Sequence, residues 1–358
     1  MKKEPSRCIC QIEKVLRSAE SIVWGKNPAQ NRYIWMPGGG RLIKMSAVNQ
    51  RSADFTSAAF KNPDLSIHRP NIRAHFMWYK RCLFNAVFLP CKADVILLRA
   101  NISLFYFKDG FRIKIYINNP DRPVEALKTE YELRKRVEKM GIVKVPSLLM
   151  GHFDDEPVFF MDEVIAGKLL AWSDPGAKDV FKRLIPDIWK YYQAVGIRWV
   201  TPGERGDDVD NIICEYVQAL EARPEISFSF DLNKIDRFKN QLTPGTQIHG
   251  DLAIHNILVS DGGDYLLDWE SSCSDYLMRD FHKLMIINGW GLERQVLPLM
   301  ETEIERQCVA GRDNLLSFDD QLYWVLFLEI HKMLTTPSYP DRLLRRAQRE
   351  MNAFLRTR

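Results

Sequence analysis

The chain has 358 residues, room for roughly two domains at about 150 residues each, with 46% hydrophobic and 27% charged residues and a formal net charge of +4. Those fractions belong to an ordinary folded protein and exclude the disordered, collagen-like and membrane-embedded classes. The longest apolar stretch, Cys82 to Leu98, is broken by Pro90, Lys92 and Asp94, so no run reaches the roughly 18 apolar residues of a membrane span. The start, Met1-Lys2-Lys3-Glu4-Pro5, is not followed by an apolar segment with a small-residue cleavage site, and no export signal is expected. Seven cysteines (Cys8, Cys10, Cys82, Cys91, Cys214, Cys273, Cys308) are odd in number and lack paired C-x-x-C spacing. That pattern predicts free thiols and a cytoplasmic location rather than a disulfide framework or a zinc site.

The modest net charge hides an asymmetry. Residues 1–150 hold 27 lysines and arginines against 12 acids, whereas the rest of the chain holds 23 against 34. The basic residues are spread through apolar and aromatic sequence rather than blocked together, so a solvated basic face is expected and a nucleic-acid partner is not.

In chain order, the first 93 residues form an N-terminal extension, with a helix predicted at Ile72 to Phe88. Its triple glycine, Gly38 to Gly40, lacks the Lys-Ser/Thr ending of a phosphate loop and reads as a plain loop. Phe76, Trp78 and Tyr79 read as a core face. Strands follow at Asp94 to Ala100, Ser103 to Phe107 and Phe111 to Ile117, the last two joined through Lys108-Asp109-Gly110, a hairpin signal. Val124 to Met140 is free of glycine, rich in helix formers and followed by Gly141, which predicts a helix with a glycine cap. Two more short strands are expected at Pro146 to Met150 and Val158 to Met161.

From Gly167 onward the pattern is helical, with segments predicted at Lys178 to Val195, Asp207 to Leu220, Tyr276 to Asn288, Leu292 to Val309, Phe318 to Thr335 and Asp341 to Leu355. Pro186 and Pro298 should kink or break two of them. The clear β interruption lies between Thr246 and Trp269. The expectation is therefore an α+β fold with two lobes: a small β-rich lobe at 94–163, a larger helical lobe at 164–358, and Asp162 to Ala166 as the hinge.

The segment Thr246 to Trp269 carries chemistry. It runs through His249, Gly250 and Asp251, places Asn256 five residues after Asp251, continues as the strand Ile257 to Val259, turns at Asp261 to Gly263 and delivers Asp268. Phosphoryl transfer needs groups that position an attacking hydroxyl and offset the charge of the transferring group. Asp251 can accept the hydroxyl proton, and the oxygens of Asn256 and Asp268 are hard ligands suited to magnesium. The protein-kinase template His-Arg-Asp-x-x-x-x-Asn, followed by a metal-binding Asp, has this spacing.

Here Gly250 replaces the arginine, and Trp269 and Glu270 follow Asp268. With His249, Gly250, Asp251, Asn256, Asp268, Trp269 and Glu270, the sequence resembles the aminoglycoside phosphotransferase and choline kinase family. That resemblance implies a bilobal protein-kinase-like fold and a small-molecule kinase that moves the γ-phosphoryl group of ATP, or GTP, to a hydroxyl acceptor with Mg2+. It also implies that Lys114 is the nucleotide-phosphate lysine and Glu130 its partner. Arg112 shares the face of Lys114 on one strand, and Glu125 and Glu132 share the helix of Glu130, so these alternatives stay open. Met161, Glu163 and Val164 look like the adenine-binding connection. The expected phosphate loop, Leu98 to Ser103, contains no glycine, and Asn101 and Ser103 are the side-chain donors available there.

His249 is expected to brace the loop that presents Asp251, and Asp280 to buttress the same loop. Glu270 is open between a supporting role at the metal and a substrate contact. Trp290 fits a substrate pocket or the core equally. The acidic helical half suits a cationic acceptor of aminoglycoside or choline type. The basic extension, with its Trp35-Met36-Pro37-Gly38 segment, is similar instead to phosphotransferase-like proteins of bacterial surface-polysaccharide pathways, and a saccharide hydroxyl is favoured. A non-catalytic kinase-like binding module is the alternative from another class. A protein kinase is disfavoured, because no long activation segment follows Asp268.

Overall fold

The computed structural model describes residues 5–36, 41–44, 86–98, 101–117, 123–171, 174–281, 314–337 and 339–355. They fall into two units, Met1–Leu169 with Leu258–Glu270, and Leu170–Ile257 with Ser271–Arg358. Among the described residues, no helix is long and apolar enough to cross a membrane.

The first unit contains α1 (Pro5–Trp24), β1 (Gln30–Met36), β2 (Arg41–Lys44), β3 (Ala86–Pro90), β4 (Val95–Leu98), β5 (Asn101–Tyr106), β6 (Phe111–Tyr116), α2 (Val124–Met140), β7 (Leu148–His152) and β8 (Phe159–Glu163). The eight strands form one sheet in the order β3-β1-β2-β4-β5-β6-β8-β7, antiparallel at each pairing. Side chains alternate across it. Ile113, Ile115, Phe159 and Met161 enter one apolar cluster, together with Leu16 and Ala19 of α1. Phe160 points the other way and packs with Leu127 of α2. The sheet is thus covered by α1 on one face and α2 on the other.

Local sequence accounts for the hairpin and the second helix. Gly110 sits at φ 78°, where a side chain would be strained, and its N–H closes the β5–β6 turn onto the Tyr106 carbonyl. Gly141, at φ 64°, ends α2 by donating to the carbonyls of Val137 and Glu138. The docking of α1 was not legible: its fully buried Glu20 accepts hydrogen bonds from the Tyr106 hydroxyl at 2.7 Å, the Cys91 thiol at 3.0 Å and the Lys92 N–H.

A second small sheet in this unit has the order β13-β12-β9, with β9 at Lys168–Leu169, β12 at Ile257–Ser260 and β13 at Gly263–Leu266. A Cβ on Gly167 would lie 2.5 Å from the Val259 carbonyl, so only glycine lets these backbones meet this closely.

The second unit is mainly helical: α3 (Ala177–Val195), α4 (Pro202–Arg205), α5 (Val209–Glu221), α6 (Leu232–Phe238), α7 (Phe318–Thr335) and α8 (Asp341–Leu355). Its sheet joins β10 (Arg198–Val200), β11 (Thr243–Ile248) and β14 (Cys273–Tyr276) in the order β10-β11-β14. The capping chemistry is in the sequence: Asp208, Asp231 and Ser317 each accept a backbone N–H at the start of α5, α6 and α7.

Several elements differ from expectation. Ala86 to Phe88, predicted as the end of a helix, belongs to β3, which pairs with β1, Ala86 lying opposite Ile34, 52 residues earlier; partners this distant leave no periodic signal. The rest of that predicted helix, the triple glycine, the segment Leu292 to Val309 with Pro298, and Trp290 lie outside the described residues. Helix α3 runs unbroken through Pro186. Tyr276 ends a strand rather than starting a helix, and the helix containing Asp280 starts at Met278. Asp162 and Glu163, read as hinge, close β8.

Candidate active site

Lys114 is central to the first unit. It lies in the middle of β6, opposite Ser103 on β5 and Phe160 on β8. Its ammonium donates to Glu130 at 2.8 Å and to Glu270 at 3.1 Å, with Asp268 at 3.8 Å. Burial alone would lower the lysine pKa, yet Glu130, Asp268 and Glu270 outweigh it and hold the group above its usual value. Glu130 is buried on the inner side of α2, whereas Glu125 and Glu132 are exposed. Asp268 adopts φ 61°, a left-handed conformation rare for a side chain with a Cβ, right after β13. Ser103, opposite Lys114, shares its face, and so does Asn101, two residues back; both are on β5 rather than in a loop. Arg99 and Ala100 of the expected phosphate loop lie outside the described residues.

Arg112 has a different partner. It pairs with Asp162 through two bonds at 2.9 and 2.6 Å, and Arg134, one turn beyond Glu130 on α2, meets the same carboxylate at 2.5 Å. Arg134 also donates to the Pro146 carbonyl at 2.6 Å. This buried group ties α2 to the sheet behind the Lys114–Glu130 pair. Burial would raise the Asp162 pKa, but the two guanidinium groups hold it below the ordinary carboxylate value. A depressed folded pKa contributes stability that is present above the unfolded value and lost as pH falls through the folded one. Stability should therefore drop below about pH 4. Asp162→Asn should cost about 3 kcal/mol at neutral pH by stranding the buried Arg134 and the partly buried Arg112 and flatten that acid slope. Urea unfolding midpoints from pH 3 to 7 check both.

Met161 is buried in the α1-side cluster. Glu163 and Val164 leave the sheet at the end of β8, and their N–H groups bond to the Ser147 and Gly110 carbonyls at 2.9 and 2.8 Å.

The second unit holds the loop after β11. Asp280 is fully buried and accepts from the N–H groups of His249 and Gly250, both at 2.7 Å, and from the Tyr192 hydroxyl at 2.6 Å. Burial pushes its pKa up. His249 is buried, and its Nδ1 accepts the Asp251 N–H at 3.2 Å. Asn256 donates through Nδ2 to the Asp251 carbonyl at 2.9 Å and to the Asp251 carboxylate at 3.0 Å. The amide thus orients the carboxylate and turns its own oxygen, a hard ligand, the other way. Gly250 has φ 80°, and a Cβ there would lie 1.9 Å from the Ser271 carbonyl oxygen. No other residue type fits this loop without moving the backbone.

A polar cavity of about 420 Å³ flanks β11 in the same unit, lined by Arg198, Arg205, Thr246, Gln247, Ser274 and Asp275 among others. No group of three or more His, Cys, Asp or Glu side chains suited to a metal ion exists among the described residues.

The model of the phosphotransferase enzyme family (APH) matches residues 115–314, more than half of the chain. The chain belongs to that family. It is a small-molecule phosphotransferase with the α+β, two-unit, protein-kinase-like architecture that the family adopts. No curated protein matches it. Solved structures to which this phosphotransferase is similar include a glucosamine kinase in complex with glucosamine, ADP and inorganic phosphate (14% identity, 72% of this chain and 78% of that one, TM-score 0.45). Another is the choline kinase LicA from Streptococcus pneumoniae (15%, 72% and 90%, TM-score 0.43). A third is the streptomycin–ATP–APH(2")-IIa ternary complex (12%, 74% and 90%, TM-score 0.45).

Sequence reasoning missed the Arg112–Asp162–Arg134 group and the Tyr192 contact to Asp280. Arg134 is one of five basic residues on α2, and nothing local separates it from the four exposed ones. Asp162 was visible only as the start of the expected hinge.

Proposed function

We propose that this phosphotransferase moves the γ-phosphoryl group of ATP to a hydroxyl of a saccharide. The observation that carries the reading is the Asp251 carboxylate, half-buried and oriented by Asn256 on a loop that Asp280 anchors. A carboxylate so held can align an acceptor hydroxyl and take its proton as the oxygen attacks phosphorus. Asp251 is therefore assigned as the base. Lys114, with Glu130 fixing it, is assigned to the nucleotide phosphates, and Asn101 and Ser103 supply further donors on the same sheet face. Glu163 and Val164 are assigned to the base of the nucleotide, whereas Met161, expected with them, faces the α1-side core on the sheet face opposite Lys114. Asn256 and Asp268 are assigned to Mg2+, with His249, Glu270 and Asp280 in support. The ion, when bound, supplies positive charge to the phosphates.

The saccharide choice is supported by the similarity of the basic extension to proteins of surface-polysaccharide pathways.

The test is acceptor-dependent ADP release with Mg-ATP across a panel of sugars, aminoglycosides and choline-like amines, with Asp268→Ala as control. Turnover with sugars that is lost in the control is the expected result. Turnover with amines alone would overturn the saccharide assignment, and none at all with any acceptor would favour a non-catalytic module.

A further inference from the structure

Along the β5–β6 ladder, the face that carries Lys114 presents Asn101, then Ser103 opposite Lys114, then Phe105 opposite Arg112. On β8 the same face adds Phe160 opposite Lys114 and Asp162 opposite Arg112. With the phosphates at Lys114, the base of the nucleotide lies two residues, about 7 Å, toward the end where Glu163 and Val164 leave β8, which is the Arg112 end. Two features mark that end. The N–H groups of Glu163 and Val164 already donate to the Ser147 and Gly110 carbonyls, so neither is available to the edge of a base. The Arg112 guanidinium, in turn, is fixed as a plane. Its Nε and Nη2 donate to the two oxygens of Asp162 at 2.9 and 2.6 Å, and Arg134 holds Asp162 from α2. The plane is centred 5.9 Å from the Phe105 ring. Phe105 belongs to an apolar cluster with Val95 and Phe107, against which Val164 packs. The Arg112 side chain keeps 26% exposure, whereas Asp162 keeps 1%.

We infer that the nucleotide base is bound by its face, laid on the Arg112 guanidinium, and not by its edge, so that this phosphotransferase takes guanine nucleotides as readily as adenine ones. A guanidinium stacks on any flat ring system, and every base has such a face, so stacking is tolerant of base identity. Discrimination needs donors and acceptors aimed at the base edge; here Asp162 takes in-plane donors of Arg112, and protein carbonyls take the two N–H groups at the end of β8. The inference rests on the nucleotide-site reading of Lys114 given above and deepens it. Arg112 is a binding residue, and Asp162 and Arg134 position it.

The experiment is calorimetric titration of the full chain in magnesium with ADP, GDP and inorganic tripolyphosphate, for the wild type, Arg112→Met and Arg112→Lys. The lysine variant keeps a cation beside Asp162 and removes only the plane. The expected result is that wild type binds ADP and GDP within about tenfold of each other, where a site that pairs with the base edge would separate them by about a hundredfold or more. Both variants should weaken ADP and GDP alike, by at least about fivefold, and leave tripolyphosphate, which has no base, unchanged. Wild type that prefers ADP by about a hundredfold or more, or variants that bind both nucleotides as wild type does, would overturn the inference. Equal weakening of all three ligands would also overturn it and leave Arg112 a structural brace. Binding of neither ADP nor tripolyphosphate by the folded wild type would overturn the nucleotide-site reading itself, and the inference with it.

Discussion

Asp251→Ala should lower acceptor-dependent turnover by about 10²- to 10⁴-fold, the usual contribution of a general base, while the thermal unfolding transition stays within a degree or two. The separation of the two effects follows from the loop. Its shape is set by Asp280, which accepts the His249 and Gly250 N–H groups, and by the Asn256 amide, which donates to the Asp251 carbonyl as well as to the side chain. Truncating Asp251 removes the carboxylate and leaves those backbone bonds in place. The group is also half-exposed, so no buried cavity opens. Steady-state rates and a melting curve on the same preparation decide it. Turnover within a few-fold of wild type would remove Asp251 from the base role.

Gly250→Ala should fail for the opposite reason, through structure before chemistry. The added Cβ would lie 1.9 Å from the Ser271 carbonyl oxygen and 2.6 Å from its carbon, both backbone atoms, and φ would remain 80°. Neither neighbour is a flexible side chain that can swing aside. The loop must move or Ser271 must, and either shift pulls the Gly250 N–H from Asp280, stranding a fully buried carboxylate that burial already penalises. A destabilisation of about 3 kcal/mol or more is expected, with loss of turnover even in the fraction that folds. Urea denaturation measures the first and active-site-normalised rates the second. A wild-type midpoint would mean the backbone clash is relieved at little cost.

The two variants show why part of the site could be read in the sequence. Gly250 is demanded by a local collision, Asp251 and Asn256 are joined by a bond across five residues, and β12 and β13 form the expected hairpin that ends at Asp268. All of this is short-range, so spacing reports it. The helix at Val124–Met140, with its Gly141 cap, and the helices at Phe318–Thr335 and Asp341–Leu355 were legible for the same reason. What escaped is long-range. The pairing of β3 with β1, the burial of Glu20 against Tyr106 and Cys91, and the choice of Asp162 as partner of both Arg112 and Arg134 depend on residues 28 to 86 positions apart. The sequence left Arg112 and Lys114 as rivals because alternation puts both on one face; only the partner of each separates them.

The central claim, transfer of a phosphoryl group to a small-molecule hydroxyl, is tested most directly by following the label from γ-³²P-ATP through one reaction that contains the protein, magnesium and the pooled sugars. The account predicts that label moves to a small organic acceptor in the wild type and stays on ATP in Asp251→Ala. Label found only on the protein, or only in inorganic phosphate at a rate the acceptors do not change, would contradict it.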